Sequence, residues 1–139
     1  MKNLRIKLVI ILCLVLSFTL LIGCSNPGLS DDFDEAEVKK AAEDVISYIN
    51  NRDSENILEI STVAVKNALT DEVLEQIYEA IAEGGGFKAV EDISVGGQKD
   101  KGTEEEFAVV VAKTNYENKN FIYTITFTKQ MKLAGLYYK

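Results

Sequence analysis

Hydrophobic positions along this chain fall into three successive regimes. An apolar run, interrupted only by Ser17 and Thr19, occupies residues 8–22. Beyond Asp34 the apolar residues recur at steps of three and four, so that Val38, Ala41, Ala42, Val45, Ile46 and Ile49 share one face of a helix. Asp34 is placed to cap that helix, with Glu37 three residues on, where its side chain can reach back to the first amide. Asn50, Asn51, Arg52 and Asp53 break the pattern, and Ser54 is placed to cap a short second helix carrying Ile57, Leu58 and Ile60. Thr70 is a third cap, followed by Asp71 and Glu72 in a first turn where the helix dipole favours negative charge. Val73, Leu74, Ile77, Tyr78 and Ile81 give the buried stripe of this third helix, and the glycines at 84–86 stop it.

After the glycines the period changes from helical to alternating, and β-branched and aromatic residues become prominent. Four strands are expected over residues 87–95, 106–116, 120–129 and 132–138. Their connections are too short for parallel crossovers, which need a dozen or more residues, so the strands pair as antiparallel hairpins. In the third strand Phe121, Tyr123, Ile125 and Phe127 point to one side, and Ile122, Thr124, Thr126 and Thr128 to the other. The expected fold class is α+β: three N-terminal helices packed on one face of a curved four-stranded antiparallel sheet.

The leading apolar run changes the picture of where such a domain works. Lys2, Arg5 and Lys7 precede it, and at 15 residues it is shorter than the roughly 20 that a membrane span needs. The run ends in Leu21, Ile22, Gly23 and Cys24. This sequence resembles the lipobox of bacterial lipoproteins, in which a signal peptidase cuts before the cysteine and the sulfur carries a diacylglyceryl group. The resemblance implies cleavage after Gly23, lipidation of Cys24, and a protein held on the extracytoplasmic face of the cell membrane. Two acyl chains, each contributing about 0.8 kcal/mol per buried methylene, anchor stably where one does not. Residues 1–23 are then the signal segment, residues 24–33 a lipidated flexible tether rich in turn formers, and residues 34–139 the α+β domain.

Cysteine and charge narrow the chemistry further. Cys13 leaves with the signal and Cys24 is lipidated, so the mature domain has no disulfide and rests on its hydrophobic core. The signal holds three of the 15 basic residues and none of the 22 acidic ones, which leaves 12 basic against 22 acidic residues and a net charge of −10. Such a surface repels phosphate backbones and argues against nucleic acid as a partner.

The helix ending in Val45, Ile46, Ser47, Tyr48, Ile49, Asn50, Asn51, Arg52 and Asp53, the later helix with Leu74, Ile77 and Tyr78, the Gly86-Phe87-Lys88 step, and the closing run Lys132 to Tyr138 together resemble the DUF3887 domains of exported proteins and lipoproteins of Firmicutes. The resemblance covers residues 37–138. It implies an NTF2-like, or cystatin-like, cone whose helices and sheet enclose a pocket, and it carries no catalytic residue with it.

The chain has no histidine, so the usual general base and the commonest transition-metal ligand are both missing, and Ser-His or Cys-His catalysis is excluded. Glu104, Glu105 and Glu106 form the densest carboxylate group, in a hairpin loop where solvation is easy. Asp31, Asp32 and Asp34 lack the glycine and distal glutamate of a calcium loop, and the glycines at 84–86 follow a helix and lack the lysine of a phosphate-binding loop. No cofactor and no metal site is expected. Tyr48, Tyr78, Tyr123, Phe107 and Phe127 are the candidate lining of a pocket for a small apolar ligand.

Three function classes follow. The reading the residues support best is a non-catalytic binding module, meeting a small ligand or another extracytoplasmic protein, with Thr124, Thr126 and Thr128 as a candidate contact face. The alternatives are a small enzyme using a buried carboxylate with a tyrosine, and a structural protein of the envelope.

Overall fold

The computed structural model describes residues 28–139. The expected signal segment, the cleavage position Gly23 and the lipidation site Cys24 lie outside the described residues. Helices α1 (Glu35–Asn50), α2 (Ser54–Ile60), α3 (Val63–Ala68) and α4 (Asp71–Ala82) precede strands β1 (Phe87–Lys99), β2 (Glu106–Tyr116), β3 (Asn120–Thr128) and β4 (Leu133–Tyr138). The strands form one antiparallel meander in the order β1-β2-β3-β4. The architecture is α+β.

Each helix begins where a short polar side chain can take up a free amide. Asp34 Oδ1 accepts from Glu37 N at 3.0 Å, and Thr70 Oγ1 accepts from Val73 N at 3.3 Å. The second cap is Asp53 rather than Ser54: its carboxylate accepts from Asn56 N at 3.1 Å, and Ser54 becomes the first helical residue. Helix α3 is a fourth helix where three were expected. It starts at Thr62, whose hydroxyl accepts from Val65 N, but it has no fully buried residue and leaves Val63 74% exposed. Lacking an apolar stripe, it leaves no helical periodicity to read.

Strand β1 runs four residues further than expected, to Lys99, because Gly96, Gly97, Gln98 and Lys99 pair with Val109, Ala108, Phe107 and Glu106. Backbone pairing with the well-patterned β2 supplies what the side chains of that stretch do not. Register shifts interrupt the β1–β2 ladder between Phe87 and Ala89 and again between Val90 and Asp92. Such bulges bend a strand and add twist, here at the end of the sheet nearest the glycine run.

The core lies between the helices and one face of the sheet. Val38, Ala42, Val45, Ile46 and Ile49 of α1 and Leu74, Tyr78 and Ile81 of α4 are buried against alternate residues of β2 and β3. These inward positions are Ala108, Val110, Ala112, Thr114 and Tyr116 on β2, and Phe121, Tyr123, Ile125 and Phe127 on β3. Alanines on β2 leave room for the α1 stripe, while β3 supplies the bulk.

The segment before α1 is held against the domain. Phe33 joins the core, and Asp32 Oδ2 meets Lys129 Nζ at 2.6 Å. Lys129 also reaches Glu106 Oε2 at 2.8 Å, so the end of the expected tether is fastened to the β2–β3 side of the sheet.

Candidate functional site

At the opposite end, where β1 starts and β2 finishes, the C-terminal turns of α1 and α4 and the start of β1 border an open cleft of about 700 Å³. Its floor is apolar, with Ile46, Ile49 and Ile81, and one wall carries Tyr116 and Phe87. Tyr78, Asn50 and Arg52 supply polar groups beside them. A volume of this size falls within the range of roughly 300–1,000 Å³ typical of small-molecule sites.

Local chain geometry explains how these side chains come to face one another. Helix α1 ends with Arg52 in the left-handed region, at φ 55°. Arg52 N donates to Ile49 O at 3.1 Å, and Asp53 N to Tyr48 O at 2.8 Å. This pair of bonds closes the helix end and turns the chain sharply. It places the Arg52 guanidinium 5.7 Å from the centre of the Tyr78 ring, where it also pairs with Glu75 at 2.6 Å.

Helix α4 ends on the glycine run, which is stitched to the β2–β3 turn. Asn118 N donates to Gly84 O at 2.8 Å, Glu117 N to Gly86 O at 2.9 Å, and Gly86 N to Glu117 Oε2 at 3.0 Å. A Cβ on Gly84 would stand 2.7 Å from a ring carbon of Phe121, and Gly85 has φ +78°. The glycines therefore serve close packing and a left-handed helix stop.

The polar heart of the cleft is a short chain of hydroxyl and amide groups. Tyr116 Oη donates to Asn50 Oδ1 at 2.7 Å, and the Tyr116 and Tyr123 hydroxyls lie 2.9 Å apart. Burial raises the Tyr123 phenol far above its ordinary pKa. It also raises that of Tyr116, against the opposing pull of the bonds from Tyr123 and to Asn50. Both are neutral phenols at any physiological pH. Phe87 and Phe121 pack edge-on against Tyr116, at 5.4 and 5.1 Å between ring centres, and fix its orientation. Asn50 Nδ2 is shut off from solvent and has no hydrogen-bond partner among the described residues.

The model of the family described as Protein of unknown function (DUF3887) matches residues 42–136. The chain belongs to the DUF3887 family. No curated protein matches it. Among solved structures it is similar to an NMR structure of a protein from Ruminococcus gnavus ATCC 29149, at 22% identity and a TM-score of 0.70, over 81% of this chain and 96% of that one. At that identity the likeness shows the fold alone.

Of the five aromatic residues expected to line a pocket in this DUF3887 domain, only Tyr78 does so. Its hydroxyl lies 2.8 Å from Ser54 Oγ. Tyr123 and Phe127 are fully buried in the middle of the core, and Tyr48 packs half-buried at the edge of the α1 stripe. Phe107 precedes the inward Ala108 on β2, so strand alternation turns it to the outer face of the sheet. Tyr116 was missed, although the same alternation counted from Ala108 puts it on the inner face. Asn50 was missed because it sits among residues that mark the end of a helix.

The other singled-out groups are accounted for. Glu104 and Glu105 are exposed, and Glu106 is held below the usual carboxylate range by its hydrogen bond and charge pairing with Lys129. Among the described residues no group of three or more Asp or Glu side chains converges as a metal site would. Thr124 and Thr126 are half-buried on the outer face, beside exposed Val111 and Tyr137. Thr128 is buried, and its hydroxyl accepts from Lys132 N at 3.2 Å.

Proposed function

We propose that this DUF3887 chain is a lipid-anchored extracytoplasmic binding module, and that the cleft between α1, α4 and the β1–β2 end of the sheet is its ligand site. The observation that carries the reading is the composition of the cleft: an isoleucine floor, an aromatic wall, and a few neutral polar groups held in fixed orientations. Apolar area supplies affinity in such a site, and the oriented polar groups supply selectivity. The amide and phenols at its centre are neutral, and the carboxylate at its edge, Glu43, stands in solvent. That arrangement supports binding over acid–base chemistry, which needs a titrating group beside the reacting atoms. The anchor rests on the Leu21-Ile22-Gly23-Cys24 sequence behind a basic and apolar leader.

Two measurements test the two halves of this reading. Intact mass of the protein from its own membrane should lack residues 1–23 and carry a lipid increment, and a Cys24→Ala variant should lose that increment. An unmodified full-length mass for both proteins would refute the anchor. For the cleft, native mass spectrometry of the full chain released from membranes should show a small molecule retained by the wild type. Ala82→Trp, which adds a ring at an exposed lining position, should not retain it. Equal retention by both proteins would place the ligand elsewhere.

A further inference from the structure

The direction of the hydrogen-bond chain at the cleft can be worked out from its inner end. Tyr123 is fully buried, and the only polar group within hydrogen-bond reach of its hydroxyl among the described residues is Tyr116 Oη. A buried hydroxyl proton without an acceptor costs about 1–3 kcal/mol, so Tyr123 donates to Tyr116. Tyr116 must then direct its own proton outward, and Asn50 Oδ1 receives it at 2.7 Å. The amide of Asn50 is thereby oriented: its oxygen is committed to Tyr116, and its NH2 group has no acceptor among the described residues. Reversing the amide would turn the chain around, strand the Tyr123 proton in the core and leave the Asn50 oxygen unpaired. The interior of the domain thus dictates that the uncommitted group of Asn50, a residue of the cleft lining, is a donor.

Resting on the cleft reading above, we infer that the ligand is a small, largely apolar molecule carrying an oxygen acceptor, a carbonyl or its equivalent, which takes a hydrogen bond from Asn50 Nδ2 while its apolar body lies over Ile46, Ile49 and Ile81. Ammonium groups are disfavoured at this position, because they have no lone pair to accept with and would bring a second donor to a donor. Nδ2 is covered by its surroundings, so the acceptor arrives with a local shift of the lining, and the unmet hydrogen bond favours that shift. At the rim Arg52 is already paired with Glu75, so an anionic ligand gains no free counter-ion, and Glu43 stands in solvent, where its attraction for a cation is screened. A neutral acceptor fits best.

The test uses two probes of the same shape, acetophenone and α-methylstyrene, in which the carbonyl oxygen is exchanged for a methylene. Each is titrated into the isotope-labelled full chain in detergent and followed by the backbone and side-chain amide resonances. Acetophenone should bind about three- to tenfold more tightly and move the Asn50 side-chain NH2 signals, the ratio expected for one hydrogen bond to a neutral acceptor. Asn50→Asp keeps an acceptor for Tyr116 but removes the donor, and it should abolish the preference; the wild-type NH2 shift stands as evidence even if that variant folds poorly. Equal binding of both probes in the wild type, blocked by Ala82→Trp, would overturn the acceptor requirement and leave the cleft as a site. Binding of neither probe, or binding indifferent to Ala82→Trp, would overturn the cleft reading itself.

Discussion

Tyr116 at the end of β2 donates its phenolic proton to Asn50 at the last turn of α1, across 2.7 Å and 66 positions of sequence. This bond ties helix to sheet beside the cleft, and it is the middle link of a chain that begins at buried Tyr123. Its position dictates an order of effects. Tyr123→Phe removes only the dead end and should cost about 1 kcal/mol. Tyr116→Phe leaves the Tyr123 hydroxyl and the Asn50 oxygen both unpaired and should cost about 2–4 kcal/mol. The double variant should recover part of that loss, because no stranded hydroxyl remains in the core. Urea denaturation of the three proteins checks the order, and equal costs for the two single variants would contradict it.

Close packing of the glycine run makes a second prediction. Gly84→Ala places a methyl 2.7 Å from the Phe121 ring and 3.1 Å from both the Ile81 backbone oxygen and the Tyr116 Cβ, and none of the three can yield freely. The expected loss is about 1–3 kcal/mol. Gly102→Ala in the exposed β1–β2 turn meets nothing nearer than 3.7 Å and should change the thermal midpoint little.

Stability should depend on pH at the two extremes and be flat between them. The carboxyls of Asp53 and Asp100 are held below their usual range by hydrogen bonds, chiefly from Asn56 and Thr103, and that of Glu106 by Lys129. The unfolded chain binds protons at these groups more readily than the native one. Their contribution is therefore present above about pH 4 and lost as the pH falls further. Buried Tyr116 and Tyr123 resist ionisation, so above about pH 10 the unfolded chain releases protons that the native state keeps, and stability falls as the pH rises. Tyr123→Phe should soften this alkaline limb. With no histidine in the chain, the urea midpoint should stay level from about pH 5.5 to about pH 9, and a step near neutrality would contradict this.

The segment ahead of α1 should behave as part of the domain from Phe33 onward. Phe33→Ala removes a ring from the core and should cost about 3 kcal/mol, with faster amide exchange in the following turn of α1. A cost near zero would mean that the segment contributes nothing to the fold.

How much of this was legible beforehand depended on whether the signal was local. Helices α1 and α4 announce themselves because one stripe of each is buried and a cap precedes each stripe. Helix α3 does not, because its faces are all partly exposed and only Thr62 marks it. The last four residues of β1 take their conformation from pairing with β2, a partner that their own composition does not reveal. At the cleft, Tyr78 could be found from helical spacing, and Tyr116 follows from alternation once Ala108 is known to face inward. Asn50 was invisible. A polar residue at a helix end reads as a stop signal, and its role arises only when β2 delivers a tyrosine to it.

The most direct test of the account is a chemical-shift map of the isotope-labelled full chain on addition of the small-molecule fraction extracted from the native envelope. Perturbations confined to the surroundings of Ile46, Asn50, Tyr78, Ala82, Phe87 and Tyr116 would place the ligand in the cleft, as the account predicts. Perturbations centred instead on Val111, Thr124 and Tyr137 would mark the outer face of the sheet as the binding surface, and would contradict it.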